Sequence, residues 1–539
     1  YTDNNMQMRM YRKGQLLFER KTDGKGVLEE KEYYVNGQLK KELVQYKDVF
    51  TEQDLKLYRK DGSLYGTVNY HGGKLNSGYM LSPGGDTLWI AFRQQDKDAL
   101  KVYDEMGFLD YTIQLGFDGS LFPEMNYYYA NGKIKEYRTR DANEKDKLFT
   151  EVEERFLSGN PKVAIEVLEG TGNMLTRYYY ANGNVRAEYL TFDNESLEEV
   201  KFFYINGLPD FSGQRDKYFG YYGDIYSYGR DGRVSQINSK ENECLVTHRS
   251  FVNGSLHYQK TLGKGTDTLT LYDRSGQQKG YRVYRNGVLY GKSEMFYKSG
   301  APEEVVFYKE NGEKDSIASY YPNGVIRRTV KYDHAGRAQE TGYEVSGILS
   351  NYTVSGNGED TKTYVFAGGL KLMVSKKEQH LDEMAVIQDK DTLFYAQLHN
   401  QGLVQAIWRN EKNVLESRAV APGDKMLSIY HTNGKKALSL PLDKYVISGD
   451  MVLYYKSGIP AVKSQWKYNM LHGGHSWYNA AGKLIEEQFY EYGRASKSYK
   501  FWDDAGKLLI EGINYGTPSE VWKYWDAKSR QMVEEDLVN

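Results

Sequence analysis

The chain has 539 residues, too many for one compact core, so it is built either from several domains or as a repeat that grows in one dimension. A formal net charge of -2 and a pI near 6.6 give no general attraction to nucleic acid or to an anionic membrane surface. Cys244 is the single cysteine, which excludes an intrachain disulfide and a thiolate zinc site, and a mean hydropathy of -0.71 argues against a membrane-spanning helix.

From its start the chain repeats a short phrase, an aromatic residue, a few polar residues and a glycine. It reads YRKG from Tyr11, YVNG from Tyr34, YRKDG from Tyr58, YHGG from Tyr70 and YDEMG from Tyr103. It continues as YANG from Tyr129 and from Tyr180, YING from Tyr204, YGRDG from Tyr228, FVNG from Phe251 and YDRSG from Tyr272. The densest run is Tyr281 to Gly336, where Gly287, Gly300, Gly312, Gly324 and Gly336 lie 12 or 13 residues apart. That spacing is one short strand plus one turn. Asn-Gly at 286–287, 311–312 and 323–324 supplies two adjacent residues that tolerate positive φ, the requirement of a two-residue hairpin turn. Alternation after the turn sets Ile326, Arg328, Val330 and Tyr332 on one face, and Val325, Arg327, Thr329 and Lys331 on the other. Elsewhere many neighbouring copies lie about 22 to 25 residues apart, as expected if alternate turns have lost the phrase while their strands persist. The fold class is therefore all-β, an elongated antiparallel β-meander array with a strand and turn of about 12 residues and a hairpin period of about 24.

Three stretches interrupt the rhythm. Asp141 to Phe156 has Leu148, Val152 and Phe156 four apart, the spacing of a short amphipathic helix carried as an insertion. Phe211 to Tyr228 is dense in aromatics. Thr341 to Pro422 is strand-like but lacks the phrase, which is consistent with a diverged part of the array or with a separate β module. The phrase returns as YHTNG, YKSG, YNAAG and WDDAG, whose glycines Gly434, Gly458, Gly482 and Gly506 lie 24 apart. The expected division is a repeat array over 1–340, a diverged segment over 341–425 and a second array over 426–539.

An aromatic pair, a polar spacer, Asn-Gly, a branched aliphatic and a charge, as in YRNGVLYGKSEMFYKSGAPEE from Tyr284 and KYNMLHGGHSWYNAAGKLIEE from Lys467, resemble the bacterial variant of the MORN repeat, of the antitoxin-like YwqK type. The resemblance covers roughly Tyr11 to Gly336 and Tyr430 to Trp525. It implies antiparallel repeat sheets used for protein contact and scaffolding. The regular GxYxGxxxxG spacing is missing from most copies, so no lipid binding is carried over.

Signals for chemistry are weak. His472 and His475 in HGGH offer two metal ligands without a third, and the pair aligns with a turn of the repeat, so no metal is expected. Cys244 and His248, four apart on a strand, share a face but lie too far apart for a direct bond, and Cys244 reads as a buried strand residue. GKGTDT from Gly263 lacks the ending of a phosphate loop, and neither GxSxG nor HExxH occurs. An acidic pair drawn from distant strands is the one enzymatic reading left open. The expectation is a non-enzyme without cofactors.

Tyr218, Phe219, Tyr221 and Tyr222, with Trp502, Trp522 and Trp525, are the candidate binding residues, since interface cores favour such rings; sheet core is the plainer reading. The function expected is a protein-binding scaffold or accessory subunit of a larger bacterial assembly, without nucleic acid or a transmembrane segment, peripheral membrane association remaining open. Tyr1 in place of Met points to export, to the periplasm or cell surface; a cytoplasmic protein is the alternative. An antitoxin-like inhibitor of a cytoplasmic toxin and a carbohydrate-binding surface protein are the other two readings.

Overall fold

The computed structural model describes residues 6–535 apart from 13, 24–26, 47–52, 72–73, 95–96, 105, 116–123, 140–150, 169–170, 193–196, 217–219, 345–346, 348, 357–358, 378–379, 516–519 and 527–528. Among these residues there are 48 strands, one three-residue 3-10 turn and no α-helix. Of the expected helical insertion, residues 140–150 lie outside the described set, while Glu151–Arg155 is a strand paired with Ile134–Thr139. Val152 belongs to that strand, so the helical reading fails over 151–155.

The chain divides into compact units, Tyr1–Gly159 and Asn160–Asn539. In the first, strands from Met6–Arg12 to Glu151–Arg155 pair antiparallel, each with the next in sequence. In the second, Pro161–Val167 to Ser255–Thr261 form a meander of the same kind. A second sheet runs from Thr266–Tyr272 to Leu415–Ala419, and a third from Met426–Tyr430 to Gln531–Glu535. No break falls at residue 340: Ile326–Tyr332, Ala338–Tyr343 and Leu349–Gly356 pair in succession, and the segment without the phrase continues the second sheet.

The turn that carries the phrase has one geometry in most copies. At Tyr34–Gly37 the Tyr34 N–H donates to the Gln38 carbonyl (2.8 Å) and the Gly37 N–H to the Tyr34 carbonyl (2.9 Å). Gly37 alone has positive φ, +86°, and the ladder shifts register beside it. This is a type I turn closed by a glycine bulge rather than the expected two-residue turn. Asn311 and Asn323 therefore serve differently from Asn286. Each accepts the backbone N–H two residues on (3.1 Å), whereas Asn286 and Gly287 both take positive φ in a true two-residue turn.

The phrase also explains its own period. The first turn residue donates its hydroxyl to the carbonyl that precedes the next turn on the same sheet edge: Tyr34 to Tyr58, Tyr180 to Phe203, Tyr204 to Tyr228, Tyr321 to Tyr343 and Tyr455 to Tyr478, over 2.6–3.0 Å. His431 Nε2 bonds the Tyr454 carbonyl in the same way (2.9 Å). A hairpin must be about 24 residues long for this tie to close, so repeat length is set at the turn edge as well as along the strands.

The second and third sheets pack face to face. Their shared core runs from Leu370, Met384, Leu393 and Phe394 on one side to Ile429, Leu438, Leu440 and Ile447 on the other, all at 0% exposure.

Candidate functional site

Tyr218 and Phe219 lie outside the described residues. Tyr221 is half-buried on strand Tyr221–Tyr228 and ends a row of rings crossing the first sheet of the second unit: Tyr178, Tyr189, Phe202, Phe211, Tyr221. Successive centroids are 5.3–6.0 Å apart, mostly edge to face. Ala187, Val200 and Ile225, almost fully buried, lie among these rings in the same strands. All five rings keep some exposed surface, and Arg186 and Arg215 lie over Tyr178 and Tyr189 at 5.9 and 4.7 Å. Tyr222 is half-buried and, next along the strand, points away from the row.

The three tryptophans do not gather. Trp522 faces the second sheet, packing on Tyr499 (5.7 Å) and donating its Nε1–H to Glu520 (2.8 Å). Trp502 and Trp525 neighbour the buried Phe501 and Tyr524 and so take the outer face, Trp525 under the Lys507 ammonium (3.4 Å).

Two expectations about histidine are corrected. HGGH is part of strand Met470–Tyr478, not a turn; Gly473, at φ +115°, crosses against Gln465, where a Cβ would meet the side chain. His475 is buried, with Trp477 Nε1–H bonded to its Nε2 and its Nδ1 without a partner. Desolvation, helped by Lys362, pushes its pKa down to about 3. Likewise Cys244 is half-buried, and the register skips Val246, so Leu245 and His248 turn to the core and Cys244 does not share their face. His248 meets Asn238 Oδ1 through Nδ1 (2.7 Å), and desolvation and then Arg282 lower its pKa to about 4. Among the described residues no group of three His, Cys, Asp or Glu is placed to hold a metal.

Sequence reasoning missed a polar cavity of about 460 Å³ between the second and third sheets. Arg327 enters it through a bulge. Ser319 pairs with Arg328 and Tyr320 with Ile326, leaving Arg327 unopposed and putting Ile326 on the face opposite Arg328, against the expected alternation. Tyr297, Tyr321, Tyr499 and Tyr524 surround its guanidinium, which keeps exposed surface because it borders the cavity. Arg328 is neutralised by Glu304 and Glu340 (3.5 Å each), and Ser319 donates to Glu304 (3.1 Å). Across from them the third sheet presents Glu486 and Tyr499, with Glu486 level with Trp477 and Phe501 in the ladder. Desolvation raises the Glu486 pKa to about 7; Lys362 and Arg327 oppose the rise and Glu344 adds to it. The same burial, with Glu486 beside it, holds the Tyr499 hydroxyl protonated.

Among solved structures, the chain is similar to a TcdB2–TccC3 crystal structure (12% identity, 99% of this chain, 35% of that one, TM-score 0.17). It is also similar to the Tc holotoxin pore of Photorhabdus luminescens (11%, 97% and 34%, 0.16) and to a porin-like protein from Bacteroides uniformis (10%, 64% and 98%, 0.12). The chain thus spans about a third of the length of the toxin-complex chains it matches. No curated protein matches it. Residues 27–48, the hairpin of strands Leu28–Tyr33 and Leu39–Gln45 around the Tyr34–Gly37 turn, match the sequence model of the MORN repeat variant.

Proposed function

We propose that this chain is a non-enzymatic, protein-binding repeat scaffold, an accessory subunit of a bacterial cell-envelope assembly. The observation that carries the reading is the row from Tyr178 to Tyr221, five rings with arginines over two of them, on a sheet face that stays partly open. Tyr and Arg are the side chains on which interface energy concentrates, because they bury much area for little lost side-chain freedom. The MORN repeat variant hairpin at 27–48 supports the protein-binding class. The partner that fits is an extended protein segment with apolar side chains for the rings, beside which Arg215 is already paired with Glu198.

A photo-crosslinker at Phe211 in the native host tests this, with one at Lys201, on the opposite face of the same sheet, as control. One discrete protein should attach through position 211 and be lost with Tyr189→Ser, while position 201 gives no such product. Equal labelling from both faces, or none from either, would overturn the reading, and recovery of the chain in the soluble cytoplasmic fraction would overturn the envelope assignment.

A further inference from the structure

Every other charged group bordering the inter-sheet cavity belongs to a visible pair or lies at its margin, but Arg327, Lys362 and Glu486 have no ion-pair partner among the described residues. Nothing about a scaffold needs them. Arg327 is exposed toward the cavity and Lys362 and Glu486 are half-buried in its wall, so a ligand there would meet three charges that no described protein group pairs. We propose that the cavity is a binding site for a sugar acid, a pyranose-sized polyol bearing one carboxylate.

The assignment follows from the chemistry of the walls. Arg327 offers a planar fork of donors that matches a carboxylate, and Lys362 adds a second cation from strand Glu359–Val365, three strands along the same sheet. Tyr297, Tyr321 and Tyr499 supply ring faces for the apolar side of a sugar. The hydroxyls of Tyr297 and Tyr321 are engaged with the Tyr320 and Tyr343 carbonyls, which fixes their rings as walls. Ser319 and Asn351 border the cavity with hydroxyl and amide groups able to meet a polyol. The volume is within the range of small-molecule sites and holds one such ring with its first waters. Glu486 makes the site responsive to pH. Its neighbours are Lys362, Arg327, Glu344 and Tyr499, and below neutrality it is a neutral donor, whereas above it becomes a carboxylate facing the carboxylate of the ligand.

The test is calorimetric titration of the full chain at pH 6 with glucuronate, glucose and inorganic phosphate. Glucuronate should saturate, and glucose and phosphate should each bind at least about tenfold more weakly. Arg327→Met and Lys362→Met should each weaken glucuronate to a similar degree, and Glu486→Gln should bind at pH 6 and abolish the loss of affinity seen in the parent above pH 7. Failure of glucuronate to saturate, glucose or phosphate binding as tightly, or unchanged affinity in a folded Arg327→Met would each overturn the proposal. If that variant unfolds, the wild-type comparison of glucuronate with glucose still decides. The site is independent of the scaffold reading, since neither experiment's outcome depends on the other.

Discussion

Strands Leu197–Phe203 and Asp391–Gln397 are both seven residues long and both paired on each side, yet they are stabilised in different ways. In the first, Val200 is buried in a row of half-exposed rings and Phe202 is itself one of them. In the second, Leu393 and Phe394 are at 0% exposure beneath another sheet. Along that row the cover is local, Arg186 over Tyr178 and Arg215 over Tyr189, so the large rings must serve as both core and cover. Where a second layer exists, aliphatic side chains replace them and the phrase fades from the sequence. The difference should appear on truncation. Phe394→Ala leaves a cavity that cannot collapse and should cost about 3–5 kcal/mol, whereas Phe202→Ala removes a ring already half in water and should cost about half of that. Urea denaturation of each variant measures both, and equal losses would break the comparison.

The same contrast shows what the sequence could and could not disclose. The turn phrase was legible because its copies repeat one backbone problem, a glycine at positive φ, to which several add a hydroxyl tied to the next turn, as at Tyr180 and Gly183. Face-to-face packing left a fainter trace, the loss of alternation in runs such as ALSLPLDKYVI from Ala437, where six successive strand residues are buried. The cavity was not legible at all. Arg327 and Glu486 are far apart in the chain, each reads as a solvated charge, and simple alternation misplaces the residues that follow the Tyr321–Gly324 turn because the ladder shifts there. HGGH misled for a related reason, since glycines that permit close strand crossing look the same in sequence as glycines that permit a turn.

Protonation separates the two regions next. His248, in the first sheet, and His475, between the second and third, are neutral when folded, with pKa values near 4 and 3 against about 6.5 unfolded. The unfolded chain therefore takes up more protons below pH 6.5. Stability should fall from pH 6.5 down through 4, by about 3 kcal/mol for His248 and at least as much for His475. Glu486 acts in the other direction, its raised pKa adding stability as pH falls from about 7 toward the ordinary carboxylate value. Glu486→Gln should therefore steepen the acid limb of a plot of Tm against pH, and His248→Gln should flatten it. An acid limb that neither substitution changes would show that these groups are solvated in the folded chain.

The seam between the first and second sheets is narrower. Gly287 has φ +79°, its carbonyl accepts the Leu245 N–H (2.9 Å), and a Cβ there would come within 2.7 Å of the Leu245 carbonyl oxygen. Gly300 has nearly the same φ, +80°, with nothing within 4 Å. Gly300→Ala should cost only the left-handed strain, about 1 kcal/mol, and Gly287→Ala that plus a backbone collision, about 2–3 kcal/mol. Thermal unfolding compares them, and equal losses would mean that the seam yields freely.

The smallest effect bears most directly on what defines the repeat. Tyr204 lies in the sheet of the ring row, under Arg230, and Tyr455 where the second and third sheets pack, but each spends its hydroxyl on the same bond, to the Tyr228 and Tyr478 carbonyls at 2.7 and 2.8 Å. That bond lies along the turn edge and not through the layers. Tyr204→Phe and Tyr455→Phe should therefore cost about the same, roughly 1 kcal/mol each, even though Phe202→Ala and Phe394→Ala differ. Amide hydrogen exchange should localise both losses to the two turns joined by the missing bond. If Tyr455→Phe alone destabilised the chain, the tie would be an accessory of the covered core, and the 24-residue period would have to be set by strand length instead.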